Sequence, residues 1–215
     1  MGATSREELG RRPPPPEVRV AKNSDVPAMV GVLARAFDDD PVACFMFRGD
    51  KRRRRGLPRF FAIQLRHMYM ADGAVWTTDD HAGVALWAPP GKPEPGLRDL
   101  WYLSLLLPDL LGLGRAIPDA AHLLAEVTRR RPRRPHWYLA TNGTDPPRQG
   151  QGVGSALLEP ALQRCDAEGL PAYLESSKHR NLAFYYRHGF AVTGELQVPR
   201  GGPHLWFMWR EPRPV

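Results

Sequence analysis

Gly150, Gly152 and Gly154 stand at alternate positions in "DPPRQGQGVGSALLEPALQRCDAEG", and a run with helical periodicity follows them at once. This spacing suits one kind of chemistry, the holding of an anion. The first turn of a helix carries four backbone N–H groups with no partner inside the helix. Aligned peptide dipoles add partial positive charge there. Glycine lets the chain turn tightly and lets a phosphate approach with no Cβ in the way. A flexible loop that merely starts a helix is the plainer alternative. The loop by itself does not name its ligand.

Local patterning indicates the elements that must position this loop. "HWYLATNGT" (136–144) reads as a strand leading into it, and the helix after it covers about 152–168. Leu157, Leu158, Ala161, Leu162 and Cys165 form the apolar face of that helix; Gly169 caps it and Pro171 stops it. Pro160 removes an internal hydrogen bond and predicts a kink. "AYLESS" (172–177) reads as a strand, 181–188 as a helix, and "GFAVTGEL" and "HLWFMWRE" as the last strands. Upstream, "VRVAK" (18–22) predicts a strand, followed by a helix capped by Ser24 or Asp25 with Val26, Met29, Val30, Leu33 and Phe37 as its stripe. "DDDPVACFMF" breaks that helix. A second helix is expected from about Lys51 to Met70, then a hairpin of "AVWTT" and "GVALWAP". Two helical runs, about 97–111 and 116–131, follow a Pro/Gly loop at 89–96. The fold class is therefore α/β (α+β), with a twisted, mostly antiparallel sheet. The strands of the 136–177 unit should be parallel, with a right-handed crossover.

Three phosphate-binding patterns compete for the glycines. A P-loop is excluded because its Lys and Ser/Thr are absent. A dinucleotide fingerprint finds Ser155 at its third position, although Glu175 stands where a ribose-binding acid belongs. Against it, "DPPRQ" separates strand from glycines, and too little chain follows to build a six-stranded nucleotide fold. The third pattern is [QR]xxGxG[AG]: Gln149, Gly152 and Gly154 match, with Ser155 in the last place. Downstream, "RNLAFYYRHGF" supplies Asn181 at a helix start and Tyr185 four residues before the pair Gly189-Phe190. In these two elements the chain resembles the GNAT superfamily of N-acetyltransferases. It is most similar to the branch of bacterial small-molecule enzymes that includes puromycin N-acetyltransferase. The similarity is strong from about His136 to Glu195, weaker over 18–88, and weakest over 89–135 and at the tail. Thr144 and Tyr186 depart from that branch, which usually has Val and a charged residue there.

The resemblance implies a mixed sheet with a β-α-β core that binds acetyl-CoA as co-substrate. It places the pyrophosphate on Gln149, Gly150, Gln151, Gly152, Val153, Gly154 and Ser155. It places the pantetheine arm beside the main chain of Asn142, Gly143 and Thr144, with Asn181 orienting cofactor or Tyr185. Tyr185 is then the acid for the departing thiolate. Glu175 is the first choice of base; Asp145, His136 or a water relayed from either stay open. The reaction implied is attack of a neutral amine on a thioester: the amine must lose a proton, the oxyanion needs a donor such as main chain at 143–144, and the thiolate needs a proton.

Length and charge bound the rest. The 215 residues suit a single N-acetyltransferase domain over 17–215, with 1–16 as a disordered arm and 89–135 as a helical insert shaping the acceptor site. Such a chain needs no metal or disulfide staple. The two cysteines fit a reducing, cytoplasmic setting, with Cys165 a buried thiol. No run of about 18 apolar residues exists, so no membrane partner is expected. The net charge is +7 and the positive residues are mostly Arg, with runs at 51–55 and 129–134. These lack interleaved aromatics, so no specific nucleic acid is expected. A non-catalytic CoA-binding or DNA-associated module is the alternative to an enzyme acting on a small-molecule amine. Oligomeric state, monomer or homodimer, is open.

Overall fold

A computed structural model describes residues 16–91 and 116–214. The expected arm (save residue 16) and the expected helix 97–111 lie outside them. In chain order the described elements are β1 (Val18–Val20), α1 (Val26–Ala36), α2 (Pro41–Met46), α3 (Asp50–Ile63), β2 (Val75–Thr78), β3 (Gly83–Ala88), α4 (Ala116–Arg130), β4 (Trp137–Thr144), α5 (Val153–Glu168), β5 (Ala172–Ser176), α6 (Leu182–Arg187), β6 (Ala191–Gln197) and β7 (His204–Arg210). The strands form one seven-stranded sheet in the order β1-β2-β3-β4-β5-β7-β6. Among the described strands only β4 and β5 run parallel; every other neighbouring pair is antiparallel.

Alternation along the strands sorts the core into two faces. Trp76, Ala85, Trp87, Leu139, Leu174 and Met208 pack with Leu157, Leu158, Ala161 and Cys165 of α5 and Leu182 of α6. Val75, Val84 and Leu86 point the other way, against Met29 and Leu33 of α1 and Leu57 and Phe61 of α3. The expected stripe of α5 is thus buried, and α5 runs on through Pro160. Burial pushes the Cys165 thiol up to about 12, which makes it an inert core residue.

Two expectations are corrected. "DDDPVACFMF" does not simply break the chain: it folds as α2. Asp40 accepts from the N–H groups of Val42 (2.9 Å) and Ala43 (3.2 Å), and Pro41 fills the first helical position, where its missing N–H costs nothing. The helix expected to run to Met70 is α-helical only to Ile63 and continues as a π-helix, Gln64–Tyr69. The wider turn keeps Leu65 and Tyr69 buried.

One ion pair ties the last strand to α5. Arg210, 3% exposed, donates to both carboxylate oxygens of Asp166 at 2.7 Å, and the Arg213 N–H adds a third bond at 2.7 Å. The pairing with Arg210 holds the Asp166 carboxyl below its usual range. A carboxyl depressed in the folded state stabilises above its unfolded pKa and loses that contribution as pH falls through the folded value. Melting temperature should therefore drop as pH is lowered below about 4, near the ordinary carboxylate value. Asp166→Asn should flatten part of that slope and cost about 3 kcal/mol at neutral pH, because Arg210 keeps a buried charge without its partner. Melts of both proteins across this pH range test it, and parallel slopes would contradict it.

Candidate active site

β4 and β5 begin as neighbours and then part. Their pairing covers Trp137↔Ala172, Tyr138↔Tyr173 and Leu139↔Leu174, and stops there. At the same point the β3 register jumps: Leu86 faces Thr141 while Trp87 faces Leu139, so Ala140 is an extra residue, a β-bulge. A bulge bends its strand and ends regular pairing. The rest of β4 stays with β3 and turns an unpaired edge into a V. Asp145 N–H donates to Ala82 O at 2.9 Å. The alternation of an antiparallel ladder then turns the main-chain groups of Asn142 and Thr144 into the V and those of Gly143 toward β3. Gly143 has a packing reason to be glycine. A Cβ there would lie 2.7 Å from Leu33 Cδ2 and 3.0 Å from Phe37 Cε2, so α1 lies directly on the strand.

The glycine loop closes the wide end of the V. Gly152 caps α5 with φ 87°, a left-handed conformation that suits glycine, and it has no side chain to occupy the first-turn N–H groups. The loop is braced from outside. Gln149 Nε2 donates to Thr144 O (3.2 Å), Arg148 to Gln151 Oε1 (3.0 Å) and Asp80 Oδ2 (2.7 Å), and Gln151 Nε2 to Pro147 O (3.1 Å). Its braces are therefore side chains, and the helix N-terminus faces the cleft.

The cleft measures about 380 Å³ and is lined by Asn142, Gly143, Thr144, Gln149, Gly150, Gly152, Val153, Gly154, Ser155, Asn181 and Tyr185 among others. All of these were expected from the sequence. Gln151 is not brought into the cleft; it buttresses Arg148. Asn142 donates to Gly154 O at 3.4 Å, while its Oδ1 is buried and has no hydrogen-bond partner among the described residues. Tyr185 is 8% exposed and wedged between Phe184 (centroids 5.1 Å apart) and Phe190 (5.9 Å), so its ring has little freedom. Burial, and then the negative charge of Asp40, push its phenol well above the usual value, so it holds its proton.

Glu175 is not among the residues lining that cleft. Together with Tyr173 it faces away from α5, because Ala172 and Leu174 take the α5 face. Tyr138 Oη donates to Glu175 Oε2 at 2.8 Å, the Arg131 guanidinium lies 4.0 Å from Oε1, and burial raises the carboxyl pKa. Asp145, the alternative base, is held by Arg35 through two bonds of 2.8 Å and depressed by them. His136 is tied to Arg134 O at 2.7 Å and packs on Tyr173 and Trp209.

Known proteins show the same architecture. The sequence profile of the acetyltransferase (GNAT) family matches residues 93–190. A Schizosaccharomyces pombe protein, "Uncharacterized N-acetyltransferase C550.08", is 30% identical over 204 residues, covering 87% of this chain and 80% of its own. The chain belongs to the GNAT family of acetyltransferases. A Corynebacterium glutamicum structure described as histone acetyltransferase HPA2 and related acetyltransferase superposes with a TM-score of 0.71 at 27% identity. That match covers 94% of this chain and 98% of the other. Arylalkylamine N-acetyltransferase 2 of Aedes aegypti shares the fold, with a TM-score of 0.60 at 12% identity over 92% and 99% of the two chains.

GNAT enzymes use acetyl-CoA, and this site fits such a ligand on its own features. It has an uncapped helix N-terminus for phosphates, a free strand edge for the amides of the pantetheine arm, and an orphaned Asn142 oxygen in the wall. Sequence reasoning missed Ala36, Phe37, Phe184 and Arg187 of the lining and, above all, Asp40. Its signal was present: Asp followed by Pro and an apolar run marks a helix start.

Proposed function

We propose that the chain transfers an acetyl group from acetyl-CoA to the primary amine of a small molecule, with residues 17–215 as one catalytic domain. One juxtaposition carries the reading: an uncapped, glycine-opened helix N-terminus, the unpaired edge of β4 and a protonated tyrosine all face one cleft. The loop from Gln149 to Ser155 holds the pyrophosphate with backbone N–H groups. The outward N–H and C=O groups of Asn142 pair with the pantetheine arm as a strand would. An oxyanion donor expected at 143–144 falls to the Thr144 N–H, since Gly143 turns toward β3. Tyr185 hands its proton to the thiolate as the C–S bond breaks. Glu175, whose carboxyl pKa is raised by burial, accepts the amine proton through intervening water.

The DNA-associated alternative is weakened by the partners of the arginine runs. Arg53 pairs with Asp38 and Asp50, Arg129 and Arg130 with Glu126, and Arg134 with Glu211. The test is a thiol-release screen with acetyl-CoA against small amines, puromycin among them, and against peptides with free N-termini or lysines. Small amines should turn over fastest. A marked preference for peptides would overturn the small-molecule assignment, and silence toward every amine would overturn the enzyme reading.

A further inference from the structure

The carboxylate of Asp40 stands in the cleft wall with Tyr185, in a position that no part of the acid–base scheme above uses. Asp40 ends the loop between α1 and α2 and is 6% exposed. It is held on both sides. Its Oδ1 accepts from the N–H groups of Val42 and Ala43 at 2.9 and 3.2 Å, and its Oδ2 accepts from Ser177 Oγ, just beyond β5. The loop is pinned again through Asp39, which takes Lys178 and Arg180. Those contacts engage the cations nearest the end of β5, while Asp40 itself makes no ion pair among the described residues. A carboxylate has about four acceptor positions, and three donors leave one.

Two features associate Asp40 with the end of the cleft that holds Tyr185. First, Ala36 at the end of α1 and Phe37 just after it line the cleft together with Asp40 and give it an apolar part. Second, Asp40 and Tyr185 line the same cleft, and the charge of Asp40 adds to the upward push of burial on the Tyr185 phenol. The glycine loop, where phosphates belong, is formed by separate residues, Gln149 to Ser155. An anion beside Tyr185 would repel a phosphate and attract a cation.

We propose that Asp40 is the specificity-determining anchor of the acceptor: it receives the ammonium form of an aliphatic amine and seats it beside Tyr185. The inference rests on the acetyl-transfer reading and narrows its substrate class. Acceptors should be amines that are protonated at neutral pH; weakly basic aromatic amines, neutral there, should gain nothing from this residue. Asp40 takes no proton in the scheme; deprotonation stays with the base.

The test compares wild type with Asp40→Asn on two amines, one aliphatic and one aromatic, both accepted by the wild type. Asparagine is as good a helix cap as aspartate, so α2 survives while the charge goes. Loss of a charge-assisted bond should raise KM for the aliphatic amine by roughly 10- to 100-fold. KM for the aromatic amine and the acetyl-CoA dissociation constant should change little. Ser177→Ala, which loosens the loop but keeps the charge, should leave the ratio of the two KM values unchanged. An equal rise for both amines, or none for the aliphatic one, would overturn the anchor role, and so would a shift of the ratio in Ser177→Ala. If the wild type acetylates no amine, the underlying reading fails first; if it acetylates both and the ratio does not move in Asp40→Asn, only the anchor role fails.

Discussion

Tyr185→Phe should lower kcat and kcat/KM together while leaving the acetyl-CoA dissociation constant near that of the wild type. A group that donates its proton as the thiolate departs acts mainly in the transition state, and its loss appears in both parameters. General acid catalysis is worth about 10²–10⁴-fold. The lower end is expected, because a thiol with a pKa near that of cysteine, about 8.5, leaves tolerably without help. Phenylalanine keeps the contacts with Phe184 and Phe190, so a tyrosine that served packing alone would show normal turnover. Tyr186 is the internal control: it is 50% exposed on the outer side of α6, and Tyr186→Phe should be mild. Steady-state kinetics of both variants with one accepted amine decide the matter. Wild-type kcat in Tyr185→Phe would remove the acid assignment, and a defect confined to Tyr186→Phe would move it one residue along.

Gly152→Val should weaken acetyl-CoA binding by about 10- to 100-fold, the worth of one or two bonds to a charged group. Two effects add. The left-handed conformation at φ 87° costs a side-chain-bearing residue roughly 1–2 kcal/mol. The new side chain also stands before the N–H groups that a phosphate must reach. No atom of the described residues lies within 4 Å of a Cβ built there, so they leave room for it. The variant should keep its circular dichroism spectrum while calorimetry reports the lost affinity. Gly154→Val should act in the same direction, with added pressure on Phe184, whose Cζ would be 3.4 Å from the new Cβ. Unchanged affinity in both variants would remove the phosphate-loop reading.

What was legible in the sequence was local. The glycine spacing, the stripe of α5, Gly169 as its cap and Tyr185 before Gly189-Phe190 are patterns within a few residues, and each element formed close to its expected bounds. What was not legible depended on pairing at a distance. The bulge at Ala140 opens the V, yet Ala140 carries no glycine or proline signal; it arises from the β3–β4 register alone. The outward turn of Asn142 and Thr144, and the inward turn of Gly143, follow from that same ladder. Glu175 shows the limit from the other side. Its place in the strand beside the V was readable, and alternation with Leu174 then carries it to the face away from α5. Asp40 was hidden by a misread signal: three aspartates and a proline looked like a break, whereas the last of them caps a new helix.

The central claim is that the cleft between β4 and β5 serves transfer of an acetyl group to an amine nitrogen. The most direct measurement is mass spectrometry of the products after incubating the protein with acetyl-CoA, isotopically labelled in the acetyl group, and the best amine from the screen. The account predicts labelled N-acetyl amine and free CoA in equal amounts, with both falling together in Tyr185→Phe. Free CoA with labelled acetate and no labelled amine, or no CoA release at all, would contradict it.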